Sequence, residues 1–336
     1  MGSVTMKLPI IDFSNLKNQR ETWESTKAQV RQALEEYGCF EATFDHIPPH
    51  LLKSVIHETK QLFDLPLPIK LRNRSNKPYH GYVGQYSMVP LYESLGIADA
   101  LSPGEIEAFA ALMWAQGNPS FSKSVESFSE KLSELDKIVR KMVVESLGLE
   151  KYMDEHMDST NYLIRLQKYD RPRSHETELG LSSHTDKNIV TILYQNEING
   201  LEVLTKDGHW FTSQPSPNSF VVMIGESFSV SFLNQLAWYG TLKKYTVKLM
   251  NWVQAWTNGR LHAPYHKVMM SGDEARYSIG LFSVPKPGYM IKAPEEMVDE
   301  EHPLLFNPYD HHRFLQFYYT EAGQKSPAAL KEYCGH

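Results

Sequence analysis

His184-Thr185-Asp186 opens the part of this 336-residue sequence that specifies both its fold and its chemistry, with His266 and then Arg276-Tyr277-Ser278 following downstream. In a strand, residues two apart leave the same face, so His184 and Asp186 can share one ion if this stretch is extended. Two imidazoles and one carboxylate on one side of a metal form a facial triad. That donor set is typical of non-haem iron(II) and leaves positions open for O2 and an oxidisable ligand. Arg276 and Ser278 repeat the two-residue spacing ten positions beyond His266. A guanidinium fork matches a carboxylate and a hydroxyl adds a further hydrogen bond, so this pair suits the tail of a dicarboxylate.

Around these residues the texture is that of short strands: 161–169, 188–195, 200–204, 219–225 and 275–284, separated by Asn, Gly, Pro and Asp turns. Such spacing predicts a mainly β fold, a double-stranded β-helix (jelly roll) of two facing sheets with room inside for a small ligand. Upstream, 8–12 and 39–44 read as strands, 22–37 and 48–63 as helices. The clearest helix is 121–146, with Val125, Phe128, Leu132, Leu135, Val139 and Met142 on one face and Gly148 past its end. An amphipathic helix over 309–321 would form a flap at the barrel mouth. The expected organisation is a mixed α/β region over 1–155, the jelly-roll core over 156–290 and a carboxy-terminal helical flap over 291–336.

Composition narrows the class. An apolar share of 41% and an aromatic share of 12% can bury a substantial core. A net charge of −6 without a basic run argues against nucleic acid or an anionic membrane as the main partner. Two cysteines near opposite ends, Cys39 and Cys334, make a disulfide framework an unsuitable reading and a reducing compartment the natural one. No stretch has the length of apolar residues that a membrane span needs, and acidic residues at 12, 21 and 24 are unlike a leader peptide. The expectation is a cytoplasmic, monomeric protein acting on a small molecule.

The chain resembles the plant iron(II)/2-oxoglutarate-dependent dioxygenases. The resemblance runs from Leu8-Pro9-Ile10-Ile11-Asp12 through Tyr37-Gly38-Cys39-Phe40 and His184-Thr185-Asp186 to Asn258-Gly259-Arg260. In flavour it is nearest to the group that modifies glucosinolate side chains, and to related oxidases of small hormones and alkaloids. The likeness implies iron(II), 2-oxoglutarate and O2, with ascorbate in a supporting role. It also implies oxidation of a C–H bond of a small plant metabolite, coupled to release of succinate and CO2.

His262 and His266, four apart, would share a face of a strand. The resemblance points to His266, ahead of Lys267-Val268, as the third ligand and leaves His262 as a pocket or packing residue. It places Tyr169 where a tyrosine hydroxyl meets 2-oxoglutarate, beside Gln167 where an asparagine is common. It sets Asn73 to Tyr92, rich in Gly and Tyr, where the amino-terminal part lines the substrate pocket, although such a run equally suits a surface loop. Oxidases that use no 2-oxoglutarate also carry the Arg-x-Ser pair, so that alternative stays open.

One segment departs from the family pattern. Asp186 and His266 stand 80 positions apart, and joining Ser229 to Ala255 restores the family spacing, which places a surplus at 230–254. It begins with Val230 and ends with Gln254, whose codons can supply the GT and AG ends of a retained intron translated in frame. The rival readings are a real lid, or an impairment that leaves a non-catalytic scaffold.

Overall fold

Twelve strands carry the architecture of the computed structural model, which describes residues 7–16, 20–173, 177–228, 256–258, 260–326 and 328–335. The surplus segment 230–254 lies outside the described residues. The strands are β1 (Ile10–Asp12), β2 (Cys39–Thr43), β3 (Val83–Gly84), β4 (Tyr92–Ile97), β5 (Thr160–Tyr169), β6 (Glu178–His184), β7 (Val190–Gln195), β8 (Leu201–Leu204), β9 (Trp210–Thr212), β10 (Ser219–Ile224), β11 (His266–Met270) and β12 (Arg276–Pro285). Eight form one sheet in the order β1-β2-β10-β7-β12-β5-β4-β3, and four form a second in the order β6-β11-β8-β9. All pairings are antiparallel except β1 with β2. The sheet-rich core with flanking helices is the jelly roll expected from the sequence.

The larger sheet is covered on both faces, and its sequence shows how. In β5, Tyr162, Ile164 and Leu166 join the main apolar core, while Leu163, Arg165, Gln167 and Tyr169 face the barrel interior. In β12, Ile279 and Leu281 join that core, while Arg276, Ser278 and Phe282 turn inward. Period-two alternation thus separates an apolar outer layer from a polar inner one. β10, Ser-Phe-Val-Val-Met-Ile, is buried at every position because its interior face has an apolar partner too: Val221 and Met223 cluster with Leu193, Leu201 and Val203.

Helices supply the outer layer: α1 (Arg20–Glu36), α2 (Pro49–Phe63), α3 (Leu67–Lys70), α4 (Glu105–Met113), α5 (Pro119–Ser146) and α6 (Met153–Asp158). α5 starts where the Asn118 side chain accepts from the Phe121 amide, with Pro119 in the first turn. It stops before Gly148, whose φ of +69° is a left-handed value that glycine adopts without strain. Its apolar face is fully buried from Phe121 to Val144. A buried ion pair ties it to the sheet: Arg140 Nε lies 2.9 Å from Asp136 Oδ2, and Arg140 also donates to Thr160 Oγ1 at 2.9 Å and to the Tyr162 hydroxyl at 3.1 Å. Helix α7 (His311–Tyr318) falls within the stretch expected to be helical and reaches the barrel mouth through Leu315 and Tyr318.

Two departures from the sequence reading bear on the site. β6 ends at His184, so Asp186 projects from the turn that follows rather than from the strand itself. Likewise β11 begins at His266, which leaves His262 in the preceding loop and not on a shared strand face.

Candidate metal centre and co-substrate pocket

β6 and β11 are antiparallel neighbours whose register sets His184 directly opposite His266. Their rings stand 4.3 Å apart between centroids. The turn after β6 brings Asp186 back toward both, with Oδ1 3.8 Å from His184 Nε2 and 3.8 Å from His266 Nε2. The three ligand atoms lie within 4.8 Å of one another, and among the described residues this is the one such group of His, Cys, Asp or Glu side chains.

Each imidazole is also fixed from behind. His184 Nδ1 lies 2.8 Å from the Ser182 carbonyl and His266 Nδ1 lies 3.1 Å from the Pro264 carbonyl. A carbonyl can only accept, so both Nδ1 atoms carry the proton and both Nε2 lone pairs point at the shared space. Thr191 donates to Asp186 Oδ2 at 2.5 Å and leaves Oδ1 for the same space. Burial, and then the neighbouring His266 ring, push the His184 imidazole down to about 4 against the opposing pull of Asp186. Burial would raise the Asp186 carboxyl, but His266, His184 and the Thr191 hydroxyl outweigh it and hold it below its ordinary value. Two neutral imidazoles and one carboxylate are the protonation states that a divalent cation requires. The donor set fits iron(II).

A cavity of about 50 Å³ runs from this triad to Arg276 and Ser278, with Tyr169 and Gln167 on its wall. Arg276 is fully buried, and burial pulls its guanidinium down from its ordinary value, with Tyr169 opposing. Its Nη2 donates to Gln195 at 2.7 Å and its Nη1 to Ser278 Oγ at 3.3 Å, while its Nε has no acceptor. No carboxylate among the described residues pairs with it. The guanidinium lies over the Tyr169 ring at 5.1 Å, and the Tyr169 hydroxyl donates to Gln167 at 3.0 Å. A buried cation short of an acceptor fits the distal carboxylate of 2-oxoglutarate.

His262 stands apart from the triad, buried in the loop where its amide donates to the Leu34 carbonyl at 3.3 Å. Gly38 allows that approach, because a Cβ there would come within 2.0 Å of the His262 carbonyl oxygen. The Gly-Tyr run that sequence left between pocket and surface lines a second cavity of about 580 Å³ at the metal site, through Tyr79, His80, Val83, Tyr86, Met88 and Tyr92. Sequence reasoning overlooked Thr191, Gln195 and Arg165. Arg165 had a legible signal: a charged residue amid the apolar Leu163, Ile164 and Leu166 of a buried strand.

Residues 159–285 match the 2OG-Fe(II) oxygenase superfamily, and residues 8–94 match the family described as non-haem dioxygenase in morphine synthesis N-terminal. The chain is 47% identical over 336 residues to the Probable 2-oxoglutarate-dependent dioxygenase AOP1.2 of Arabidopsis thaliana, covering 98% of this chain and 96% of that relative. Among solved structures it is similar to the rice dioxygenase for auxin oxidation, with a TM-score of 0.77, 28% identity and coverage of 98% of this chain and 100% of that one. The dioxygenase for auxin oxidation 1 of Arabidopsis thaliana, solved with 2-oxoglutarate, gives a TM-score of 0.74 at 25% identity, covering 88% and 99%. With the convergent His-Asp-His donors and the buried arginine, these likenesses establish that the chain belongs to the 2OG-Fe(II) oxygenase superfamily and is a 2-oxoglutarate-dependent dioxygenase that uses iron(II), 2-oxoglutarate and O2.

Proposed function

We propose that His184, Asp186 and His266 hold a single iron(II), that Arg276, Ser278 and Tyr169 hold the distal carboxylate of 2-oxoglutarate, and that the enzyme oxidises a C–H bond of a small plant metabolite or hormone. The observation that carries this reading is the pair of Nε2 atoms, each 3.8 Å from one Asp186 oxygen, at the end of a cavity closed by an arginine that no carboxylate among the described residues pairs with. When bound, the iron supplies O2 activation coupled to oxidative decarboxylation of 2-oxoglutarate to succinate and CO2. The protein orients three donors through the Ser182 and Pro264 carbonyls and Thr191, and fixes the co-substrate's far end. It also presents a 580 Å³ cavity of a size suited to one small molecule. The solved relatives named as dioxygenases for auxin oxidation support a hormone-sized substrate.

We further read the chain as three parts, 1–155, 156–290 and 291–336, with the core holding the donors and the flanking parts closing the substrate cavity. It acts as a cytosolic monomer. The test is metal content and succinate release: Ala at 184, 186 or 266 should abolish both, whereas His262→Ala should keep the metal. Loss of iron from His262→Ala together with its retention by His266→Ala would overturn the assignment.

A further inference from the structure

The large cavity contains a second buried guanidinium, at Arg165. Its strand position is flanked on both sides by glycine, since Gly96 of β4 and Gly280 of β12 stand opposite it in the register. Neither neighbour extends a side chain over it; the Tyr79 carbonyl and His80 backbone lie over Gly96 and the Phe282 ring lies over Gly280. Arg165 is 9% exposed. Its Nη2 donates to the Tyr92 hydroxyl at 2.8 Å and to Ser94, and the Tyr79 ring lies 4.8 Å from the guanidinium carbon. Its Nε is buried without an acceptor. Among the described residues no carboxylate pairs with it, and the remaining nitrogen, Nη1, makes no hydrogen bond.

An arginine keeps its charge in proteins, and an uncompensated buried charge is costly, so this arrangement is incomplete without an anion. That anion is not the one held by Arg276. Arg165 borders the 50 Å³ cavity as well, but it lies four residues along β5 from Tyr169, the register partner of Arg276, about 13 Å between backbones at strand rise. The other cation at the cavity, Lys187, is already paired with Glu226 at 2.7 Å. Beyond Arg165 the cavity wall is largely apolar, including Val83, Met88, Val89, Leu181, Phe282 and Leu315. Tyr79 holds a left-handed φ of +61°, a strained value for a tyrosine, in the position where its ring covers Arg165.

We infer that Arg165 is a specificity-determining residue that binds the carboxylate of the substrate, and that the enzyme acts on amphipathic monocarboxylic acids with an apolar body. One guanidinium, with Nε and Nη1 unengaged, carries a single positive charge and suits a single negative charge better than a phosphate or sulfate, which would need more donors. This inference rests on the oxygenase reading above and deepens it.

The test uses the full chain with iron(II) and saturating 2-oxoglutarate under anaerobic conditions, so that binding is read without turnover. The probes are 3-phenylpropionate, 4-phenylbutyrate and their primary amides, titrated by calorimetry. At least one acid should bind about ten- to a hundredfold more tightly than its amide. Arg165→Gln should erase that preference, Arg165→Lys should keep part of it, and both should bind 2-oxoglutarate within about threefold of the parent. If no acid outperforms its amide, whether both bind equally or neither binds, the inference is overturned. The same holds if Arg165→Gln retains the preference, or weakens 2-oxoglutarate as much as Arg276→Ala does, because Arg165 would then serve the co-substrate. Should Arg165→Gln fold poorly, Arg165→Lys must still weaken the acid and leave the amide unchanged. Failure of the parent protein to bind 2-oxoglutarate at all would strike at the oxygenase reading instead, which separates the two failures.

Discussion

Single side chains set the chemistry here through what stands behind them. The imidazoles of His184 and His266 are useful to a metal because backbone carbonyls hold their Nδ1 protons, and Asp186 because Thr191 occupies its other oxygen. Arg276 has the same dependence on its surroundings: Gln195 and Ser278 orient the fork, yet no carboxylate among the described residues neutralises it. A charge-assisted contact is worth about 1.5–3 kcal/mol net. Arg276→Ala should therefore raise the 2-oxoglutarate concentration for half-maximal succinate release about ten- to a hundredfold. Oxidation at full rate with no 2-oxoglutarate present would favour the co-substrate-free oxidase that the Arg-x-Ser pair also permits. The histidine spacing alone could not choose between His262 and His266. The choice follows from register, since β11 pairs His266 with His184 and leaves His262 in the loop.

At the scale of elements, α5 shows why the polar positions of a core helix matter. Asp136 and Arg140, four apart, meet inside the protein and reach Tyr162 and Thr160 on β5, so the pair fixes how the helix sits on the sheet. Asp136→Ala strands a buried guanidinium and should cost about 3–5 kcal/mol in urea unfolding, whereas Tyr162→Phe should cost about 1 kcal/mol. Equal losses would show that the hydroxyl rather than the charge carries the lock. The flanks of the surplus segment give a second prediction. Phe228 and Trp256 stand 5.3 Å apart between ring centroids, each 4.9 Å from the His156 ring of α6, and the Thr257 hydroxyl donates to the Phe228 carbonyl at 3.3 Å. The chain thus leaves and returns at one point. Joining Ser229 to Ala255 provides three Cα steps between the two aromatics, a reach of about 11 Å that spans this gap. Deleting 230–254 should preserve the melting temperature and raise solubility and succinate release. A variant that unfolds, or loses activity that the full chain possesses, would make the segment a functional part of the enzyme, and sequencing the transcript tests the intron independently.

Across the whole molecule, burial of neutral histidines couples stability to pH. Burial pushes His311 and His262 down to about 3, and His156 well below its ordinary value. In the unfolded chain each takes a proton near pH 6.5, so between those values the unfolded state binds more protons and stability falls as pH is lowered. From pH 7 to pH 5 His311 and His262 each contribute a loss of about 2 kcal/mol. Replacing His311 by Asn should remove one such share from the decline in melting temperature, and an unchanged slope would show that His311 does not stay neutral. At this scale the sequence by itself determined much. Two-residue periodicity in β5 and β12, the amphipathic run of α5 and the His-x-Asp and Arg-x-Ser spacings specified the jelly roll and the candidate donors, because side-chain direction in a strand or helix is a local property. Only the tertiary structure decided that Asp186 projects from a turn beyond β6, that β4 and β12 set glycines on either side of Arg165, and that Gln195 bonds Arg276 while Thr191 bonds Asp186. Those outcomes depend on which strand lies beside which and in what register, and pairings between residues far apart in sequence leave no periodic trace in either strand alone.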